Sequence, residues 1–362
     1  MIASQFIVAR DDLQRTRCVE VELPGADRLP DDALLLKVER FAFTANNITY
    51  ALLGDALKYW QLFPAPAGFG IIPVWGFGEV IASAHPQVGI GERLFGYFPM
   101  ATHLLIEATG VNKRGLRDAA AHRRDVAPVY NAYARVGGDP AYAGEQGDYQ
   151  ALLRPVFMLS FLVDDFLGEA ELFGAERAIL SSASSKAAFG LAHLLHTTRK
   201  IEVIGLTSET NRAFVESLGC YHRVAGYRDV ETLDAQAPAV VIDFAGNAEL
   251  TARLHRRLGD ALRYSGRIGM THQDEADDPA DLPGVKPQWF FAPDQIRKRA
   301  SEWGPGGIER RFAAAWAGLG PLLDRSLRIV EGRGAPAVER CYHDTLGGRV
   351  PPSHGMMLSM AE

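Results

Sequence analysis

A short polar segment at residues 182–188 is the first place where the residue types suggest chemistry. It separates an apolar run from a run of small residues that reads as a helix. Ser184 and Ser185 offer hydroxyl groups and Lys186 offers a cation, and the backbone N–H groups at a helix N-terminus attract anions. The same serines would cap the helix without any ligand. The segment therefore predicts either a phosphate-binding turn or an ordinary helix cap.

A second polar group follows the next apolar run, residues 203–206. That run ends in Thr207 and Ser208 rather than in an acidic residue, and Asn211 and Arg212 come next. Hydroxyl groups and a guanidinium bind phosphate oxygens well. These residues predict a second phosphate pocket, and the alternative is a surface helix start with an incidental arginine.

Metal-binding residues are sparse in the sequence. The three cysteines, Cys18, Cys220 and Cys341, are far apart and form no C-x-x-C pair, whereas a zinc site needs clustered thiolates or a cysteine with histidines. His193 and His196 lie three residues apart on a predicted helix, but no acidic partner follows at ligand spacing. We therefore expect no metal site, neither catalytic nor structural.

Two kinds of element must position these groups. Residues 1–110 read as short strands bounded by Gly and Pro, whereas apolar strands and helices alternate from residue 155. Such alternation with short links predicts a parallel, doubly wound sheet. The strands are expected at 177–182, 200–206, 239–244 and 267–270, with a further one at 289–292, and helices at 155–167, 187–196, 211–218 and 248–258.

Residues 110–150 differ from both parts because Gly, Asp, Arg and Tyr dominate them. They read as too polar for a core element and as longer than most loops. The sequence predicts a polar insertion here, either a solvated excursion or a lid that contacts a substrate.

Bulk composition restricts the class of protein. The 362 residues are 47% hydrophobic and 23% charged, with a formal net charge of −6. This balance favours neither a nucleic-acid nor a membrane partner. An odd number of dispersed cysteines fits a reducing compartment. With no apolar run of about 18 residues and no signal-like N-terminus, we expect a cytoplasmic protein of two domains.

The strongest resemblance lies in residues 73–97. They read P-V-W-G-F-G-E-V-I-A-S and then V-G-I-G-E-R-L-F-G-Y. This resembles the N-terminal domain of the medium-chain dehydrogenase/reductase superfamily, with its P-G-x-D/E-x-x-G-x-V followed by G-D-R-V. Within that superfamily the chain is most similar to the zinc-free, quinone-oxidoreductase-like branch, as a divergent member.

The resemblance implies an α/β fold with a GroES-like β-barrel domain and a Rossmann-type doubly wound domain. The barrel domain is expected at 1–150, the nucleotide-binding domain at 151–305 and a return to the barrel domain at 306–362. The segments 335–346, 347–350 and 356–360 resemble the superfamily's closing helix, turn and strand. The branch usually has G-A-x-G-x-V-G in its phosphate loop, where this chain has Ser182, Ser185 and Ala188 at the glycine positions.

The cofactor implied by the resemblance is NADP(H). An acid that bonds the ribose 2′-hydroxyl in NAD sites is missing after the second strand of the sheet, and Ser208 and Arg212 stand there instead. Tyr227 matches a tyrosine that contacts the 2′-phosphate or the adenine. Gly246 and Gly269 match family glycines beside the nicotinamide, and both positions are equally consistent with tight turns alone.

The segment 43–50 resembles the family's G-V-N-P-x-D-Y, from which a polar residue faces the nicotinamide. Tyr50 is the closest match to a proton donor, and Asn46 and Asn47 are its polar neighbours. Tyr50 would protonate or polarise a small-molecule substrate during hydride transfer, and the alternative is a packing role at the edge of the barrel. The function expected is a zinc-independent, NADPH-dependent reductase of a carbonyl or an activated C=C bond. The alternative is a nucleotide-binding protein of this fold without turnover. A homodimer is compatible with the sequence, which does not determine the oligomeric state.

Overall fold

The computed structural model describes residues 1–138, 147–268 and 282–362. The strands are β1 (Ile2–Ala9), β2 (Thr16–Glu22), β3 (Ala33–Phe43), β4 (Phe69–Gly70), β5 (Val74–Ser83), β6 (Arg93–Phe98), β7 (His103–Thr109), β8 (Gly115–Asp118), β9 (Ala132–Arg135), β10 (Arg177–Leu180), β11 (Glu202–Thr207), β12 (Arg223–Gly226), β13 (Ala239–Asp243), β14 (Leu262–Ile268), β15 (Gln288–Phe290), β16 (Arg328–Arg333) and β17 (His354–Ser359). The helices are α1 (Ala45–Leu52), α2 (Gly147–Glu169), α3 (Lys186–Leu194), α4 (Arg212–Ser217), α5 (Ala248–Leu258), α6 (Ala292–Trp303), α7 (Gly307–Ser326) and α8 (Ala335–Leu346).

The chain divides into two compact units. The first contains Met1–Leu152 and Leu327–Glu362, and the second contains Leu153–Ser326. The return of the chain to the first unit thus starts at Leu327 rather than at 306. The reason is that α7 packs within the second unit, where Phe312 and Trp316 contact Phe157.

A closed β-barrel forms the centre of the first unit. Six strands follow one another in the order β3-β5-β6-β9-β8-β7, and β3 also pairs with β7, so the ring closes. All pairings within this ring are antiparallel. The expected GroES-like barrel is confirmed, and its interior is filled by apolar side chains such as Val38, Val80 and Leu94.

Residues 115–118 and 132–135 of the polar segment form strands of this barrel, which corrects the expectation of an insertion for that part of 110–150, whereas residues 139–146 lie outside the described residues. Strand β8 pairs with β7 and with β9, and β9 also pairs with β6. The prediction from composition was wrong because polar side chains in this segment are buried together with ion-pair or hydrogen-bond partners. The guanidinium of Arg123 lies 3.2 Å from Asp118, and both side chains are 1% exposed. The Arg123 guanidinium also donates to the hydroxyl of Tyr133.

The second unit is built on a parallel sheet with the strand order β12-β11-β10-β13-β14-β15. Counted along the chain from β10, this is the order 3-2-1-4-5-6 of dinucleotide-binding sheets. Strand β10 is buried along its whole length, as expected for a strand covered on both faces. The expected Rossmann-type sheet is confirmed, and β15 is the additional strand foreseen near residue 289.

Two helices of the second unit begin where the sequence offers a cap. Ser185 caps α3 by accepting a hydrogen bond from the backbone N–H of Ala188, and Asn247 caps α5 in the same way. Helix α8 coincides with the predicted closing helix. In the described ranges, no helix combines the length and the apolar character needed to span a bilayer.

Candidate functional site

The carboxyl end of β10 is the point where the strand order of the second unit reverses. Ligands of open α/β sheets bind at such a switch point. The hydroxyl of Ser181, directly after β10, donates to Asp243 at the end of the neighbouring strand β13, at 2.5 Å. The same hydroxyl accepts hydrogen bonds from the backbone N–H groups of Phe244 and Ala245. This network fixes the ends of the two strands beside the predicted phosphate turn.

The predicted phosphate turn lies between β10 and α3. Ser182, which takes the first glycine position, has a φ of +49°, a left-handed conformation that glycine adopts without strain. Ser185 is the helix cap, with its hydroxyl oxygen 3.3 Å from the Ala188 nitrogen. Both interpretations of this segment therefore remain open, because a capped N-terminus is also the geometry that attracts an anion.

Lys186 is the first residue of α3. Its side chain is half-buried, and burial lowers its pKa to about 8. A cation in the first turn is unfavourable for the helix dipole, so its charge would be better tolerated beside a bound anion. Lys186 thus lies at the start of the helix that begins at the switch point.

Several predicted cofactor residues are brought together around this turn. The amide of Asn211 donates to the hydroxyl of Ser184 at 3.2 Å, which joins the end of β11 to the turn after β10. Burial raises the pKa of Tyr227, and hydrogen bonds with the neighbouring Ser182 partly offset that increase. The hydroxyl of Thr207 is buried and has no hydrogen-bond partner within the described residues.

Arg212 is engaged by two carboxylates. Its guanidinium bonds Glu209 at 2.8 Å and Asp229 at 2.9 Å. The hydrogen bond from Arg212 lowers the pKa of Glu209, and the pKa of Asp229 is lowered by the Gly226 backbone N–H and then by Arg212. Asp229 also accepts from the backbone N–H of Gly226 at the end of β12. Ser208 precedes the short turn of 3₁₀ helix Glu209–Asn211. Arg212 therefore lies at the predicted place, but its guanidinium is already ion-paired with two carboxylates.

The two glycines predicted near the nicotinamide differ in what the structure describes. Gly246 has a φ of +65°, and its N–H points to the Asp243 carboxylate at 3.3 Å. A side chain there would be strained, so the turn after β13 requires this glycine. Gly269 lies outside the described residues.

In the first unit, the predicted proton donor Tyr50 stands on α1. Its hydroxyl oxygen accepts a hydrogen bond from the Asn46 amide at 2.6 Å. Asn47 is used differently: its side-chain oxygen accepts from the backbone of Thr44 and its amide donates to Pro73. Asn47 thus caps α1 and ties it to the start of β5, and its polar atoms are occupied by the fold.

Tyr50 belongs to a cluster of aromatic side chains, hereafter the aromatic cluster, which consists of Tyr50, Tyr59, Trp75, Tyr97 and Tyr130. Its rings lie 4.3–5.9 Å apart between centroids. Burial raises the pKa of Tyr50 to about 12, and nearby donors on Tyr97, Trp75 and Asn46 partly offset that increase. Tyr50 therefore carries its proton at neutral pH and can donate it but cannot act as a base.

Sequence reasoning missed most of this cluster. Tyr97 and Trp75 lie in the apolar strands β6 and β5, where aromatic residues are usually core. The available signal was that both residues carry a polar group on strands in which most side chains are apolar. Tyr59 and Tyr130 come from segments of 3₁₀ helix, and only the fold brings them to α1.

Metal ligands do not gather in the described parts of either unit. No group of three or more His, Cys, Asp or Glu side chains with the proximity needed to hold a metal ion occurs within residues 1–138, 147–268 and 282–362. His193 and His196 lie near each other at the end of α3 and in the turn that follows it.

Comparison with solved structures gives matches over nearly the whole chain. CurA of Vibrio vulnificus, crystallised in complex with NADPH, matches at a TM-score of 0.62 and 11% identity, with 99% of both chains covered. The yhdH oxidoreductase of Salmonella enterica, in complex with NADP, matches at 0.55 and 14%, again with 99% of both chains covered. A mutant enoyl thioester reductase of Candida tropicalis matches at 0.57 and 11%, covering 99% of this chain and 100% of that one.

These similarities show that the chain shares its fold with these three proteins. No match is found among curated protein sequences. A family model does match, over residues 41–351, and its description is "Protein of unknown function (DUF2855)". Since that match covers most of the chain, including the parallel sheet and the barrel strands from β5 to β9, the chain belongs to the DUF2855 family.

Proposed function

We propose that this protein is a zinc-independent reductase that transfers a hydride from NADPH to a carbonyl or an activated C=C bond of a small molecule. The observation that carries this proposal is the strand order 3-2-1-4-5-6 with a capped helix starting at its switch point. Three structures of the same fold support it, since two were determined with NADPH or NADP and one is an enoyl thioester reductase.

The pyrophosphate of the nucleotide would bind at the N-terminus of α3. Backbone N–H groups in the first turn of a helix and the hydroxyl of Ser184 are suitable donors, and the charge of Lys186 would be compensated there. The serines at the glycine positions are small enough to allow close approach. The buried, unpartnered hydroxyl of Thr207 at the end of β11 gains a partner if a ligand occupies this edge.

The 2′-phosphate would bind at Arg212 by replacing one of its acids. Glu209 is the weaker competitor, because its side chain is 77% exposed and exposed ion pairs contribute little to stability. Asp229 is fixed by the Gly226 backbone and would keep the guanidinium in place. Exchange of Glu209 for a phosphate dianion gives a stronger charge-assisted contact.

The proton would come from Tyr50. Bound NADPH supplies the hydride, and reduction of a C=O or C=C bond needs one proton in addition. The Tyr50 hydroxyl is protonated over the whole neutral range, since its pKa is about 12. The Asn46 amide donates to the Tyr50 oxygen and would stabilise the phenolate left after proton transfer. Asn47 would support this arrangement by holding α1.

Zinc independence is the part of the proposal that elemental analysis tests. We expect far less than one zinc per chain after purification, and no change in melting temperature or activity on incubation with a chelator. Stoichiometric zinc that is lost together with activity would contradict this part of the proposal.

The decisive experiment is titration of the purified protein with NADPH and NADH, followed by nicotinamide fluorescence. We expect saturable binding with a several-fold preference for NADPH. A panel of enones, quinones and aldehydes is then tested for NADPH consumption at 340 nm, a wavelength at which the reduced nicotinamide absorbs. Absence of NADPH binding would overturn the proposal.

A second candidate function is nucleotide binding without turnover. The observation that favours it is the phosphate turn, in which Ser182, Ser185 and Ala188 replace glycines. This alternative predicts NADPH binding together with no consumption by any acceptor in the panel. The titration and the panel therefore separate the two functions.

A further inference from the structure

Two aromatic side chains are among the residues of the first unit whose buried hydrogen-bond donors lack a partner within the described residues. The Tyr97 hydroxyl and the Trp75 indole nitrogen are both shielded from solvent, and neither has a hydrogen bond of good geometry within the described residues. Tyr97 is 0% exposed. A buried donor without a partner carries its full desolvation penalty, so such groups are rare and call for an explanation.

The two donors are neighbours. The rings of Trp75 and Tyr97 meet edge to face with centroids 4.3 Å apart. Both polar groups lie near the Tyr50 hydroxyl and oppose the increase of its pKa that burial causes, but neither forms a hydrogen bond of normal geometry with it. The other polar groups of the aromatic cluster are satisfied. The hydroxyls of Tyr59 and Tyr130 bond each other at 2.8 Å, and Tyr50 accepts from Asn46 at 2.6 Å. The missing partner is therefore localised beside Tyr50.

We propose that the Tyr97 hydroxyl and the Trp75 indole N–H together bind an acceptor oxygen of a flat, uncharged ligand next to Tyr50. This inference rests on the proposed function in one respect, namely that the ligand is the substrate of the reductase. The oxygen would be a carbonyl oxygen, and Tyr97 and Trp75 would determine which substrates are accepted.

The chemistry of the ligand follows from the side chains around it. The indole N–H is a donor only, so the ligand atom must be an acceptor. The aromatic cluster and Asn46 carry no charge at neutral pH, so an anion would lose its hydration without a compensating cation. Rings on several sides favour a flat π-system by stacked and edge-to-face contacts.

A stability measurement on Tyr97→Phe tests the unpaired state of the hydroxyl. Removing a buried hydroxyl without a partner should leave the melting temperature unchanged or raise it by about 2 °C. The matched control is Tyr342→Phe, because Tyr342 is also fully buried in the first unit but donates to the Leu13 carbonyl at 2.8 Å. This control should lower the melting temperature. A large decrease for Tyr97→Phe would show that its hydroxyl already has a partner and would overturn the inference.

Ligand binding is tested without nucleotide, so that no turnover occurs. Acetophenone offers a ring and a carbonyl oxygen, toluene lacks the oxygen, and benzoate carries a negative charge. Ligand-observed NMR titrations should show that acetophenone binds the unmodified protein more tightly than either of the others. In Tyr97→Phe and in Trp75→Phe this affinity should fall by about fivefold to tenfold, which corresponds to one lost hydrogen bond. Tyr342→Phe should bind as the unmodified protein does.

The outcomes separate this inference from the proposed function. If NADPH binds but acetophenone affinity is the same in all variants, the donor pair has been misassigned and the reductase proposal stands. If acetophenone binding depends on Tyr97 and Trp75 while NADPH does not bind, the ligand site holds and the reductase proposal fails. Preference for benzoate over acetophenone would overturn the uncharged ligand class.

Discussion

The edge of the second unit where nucleotide is proposed to bind and the aromatic cluster of the first unit satisfy their polar groups in different ways. This edge, hereafter the nucleotide edge, is formed by Ser184, Ser185, Lys186, Thr207, Asn211, Arg212 and Tyr227. At the nucleotide edge, the charged groups are bonded to one another, as in the bonds of Arg212 with Glu209 and Asp229, although the Thr207 hydroxyl lacks a partner within the described residues. In the aromatic cluster, by contrast, the Tyr97 hydroxyl and the neighbouring Trp75 indole N–H both lack a hydrogen-bond partner within the described residues. One candidate site is therefore held by ion pairs and hydrogen bonds between its own side chains, which a ligand must replace. The other offers hydrogen-bond donors for which a ligand would supply the missing acceptor.

The difference follows from the local supply of partners. Ends of parallel strands and starts of helices expose backbone N–H groups, and flexible acids nearby can rotate to meet a cation. Aromatic side chains packed between antiparallel strands have few rotamers and few polar neighbours. Binding at the nucleotide edge should thus depend on charge, and therefore on salt and pH, whereas binding at the aromatic cluster should depend on single hydroxyl and N–H groups.

The largest effect is expected from placing a negative charge at the nucleotide edge. Ser185→Asp would put a carboxylate against the pyrophosphate, and like charges in contact cost enough to weaken NADPH binding by about a hundredfold or more. Aspartate is a good helix cap, so the fold should persist. Ser185→Asn is the control, because it is similar in shape and capping ability but uncharged. Equal NADPH affinity for the folded Asp and Asn variants would show that no phosphate binds here.

Arg212→Ala should weaken NADPH binding by about tenfold to a hundredfold and leave NADH affinity nearly unchanged, because only the 2′-phosphate contact is lost. Glu209→Gln is the opposing control. It removes the competing carboxylate while the Asp229 bond remains, so NADPH binding should tighten. Fluorescence titrations with both nucleotides measure these changes. If Arg212→Ala weakens NADH and NADPH alike, Arg212 maintains the structure rather than selecting the cofactor.

Tyr50→Phe tests the aromatic cluster in the same way. The variant keeps the ring and loses only the proton donor, whose contribution is typically about 10²–10⁴-fold. We expect turnover of an active acceptor to fall by at least about tenfold, while NADPH affinity stays unchanged. The lower limit is only about tenfold because water can replace part of the proton donor's function. Tyr342→Phe serves as a control for removing a buried hydroxyl elsewhere in the first unit. Unaltered turnover in Tyr50→Phe would exclude this residue as the proton donor.

The smallest expected effect is a pH dependence of nucleotide binding. In the free protein the pKa of Lys186 is about 8, and a bound phosphate would raise it. Lys186 is charged below that pKa, so affinity should be constant from pH 7 to about 8. Above this range affinity should decrease, at most about tenfold per pH unit, until the pKa of the complex is reached. Lys186→Met should abolish this dependence, and a profile that is identical in the variant would remove Lys186 from the site.

Much of the fold could be predicted from the sequence because local patterns repeat in it. The apolar runs of β10, β11 and β13 and the amphipathic helix α5 can each be recognised within about ten residues, and the Gly-Glu-Arg step is part of the motif on which the family resemblance rests. The sequence predicted Ser184 or Ser185 as the helix cap, and the structure shows that it is Ser185. The segment after residue 110 was misread, because the Arg123–Asp118 pair is buried and polar composition normally indicates exposure.

What the sequence determined by itself was the order of elements and the residues near the nucleotide edge. These residues follow directly after strands whose carboxyl ends meet at one edge of a parallel sheet, so strand order alone brings Ser184, Asn211 and Tyr227 together. Tertiary structure alone decided which polar side chains already have a hydrogen-bond or ion-pair partner and which do not. Arg212 is one that does. The aromatic cluster assembles from α1, two barrel strands and two 3₁₀ segments, because long-range β-pairing rather than local pattern sets those distances.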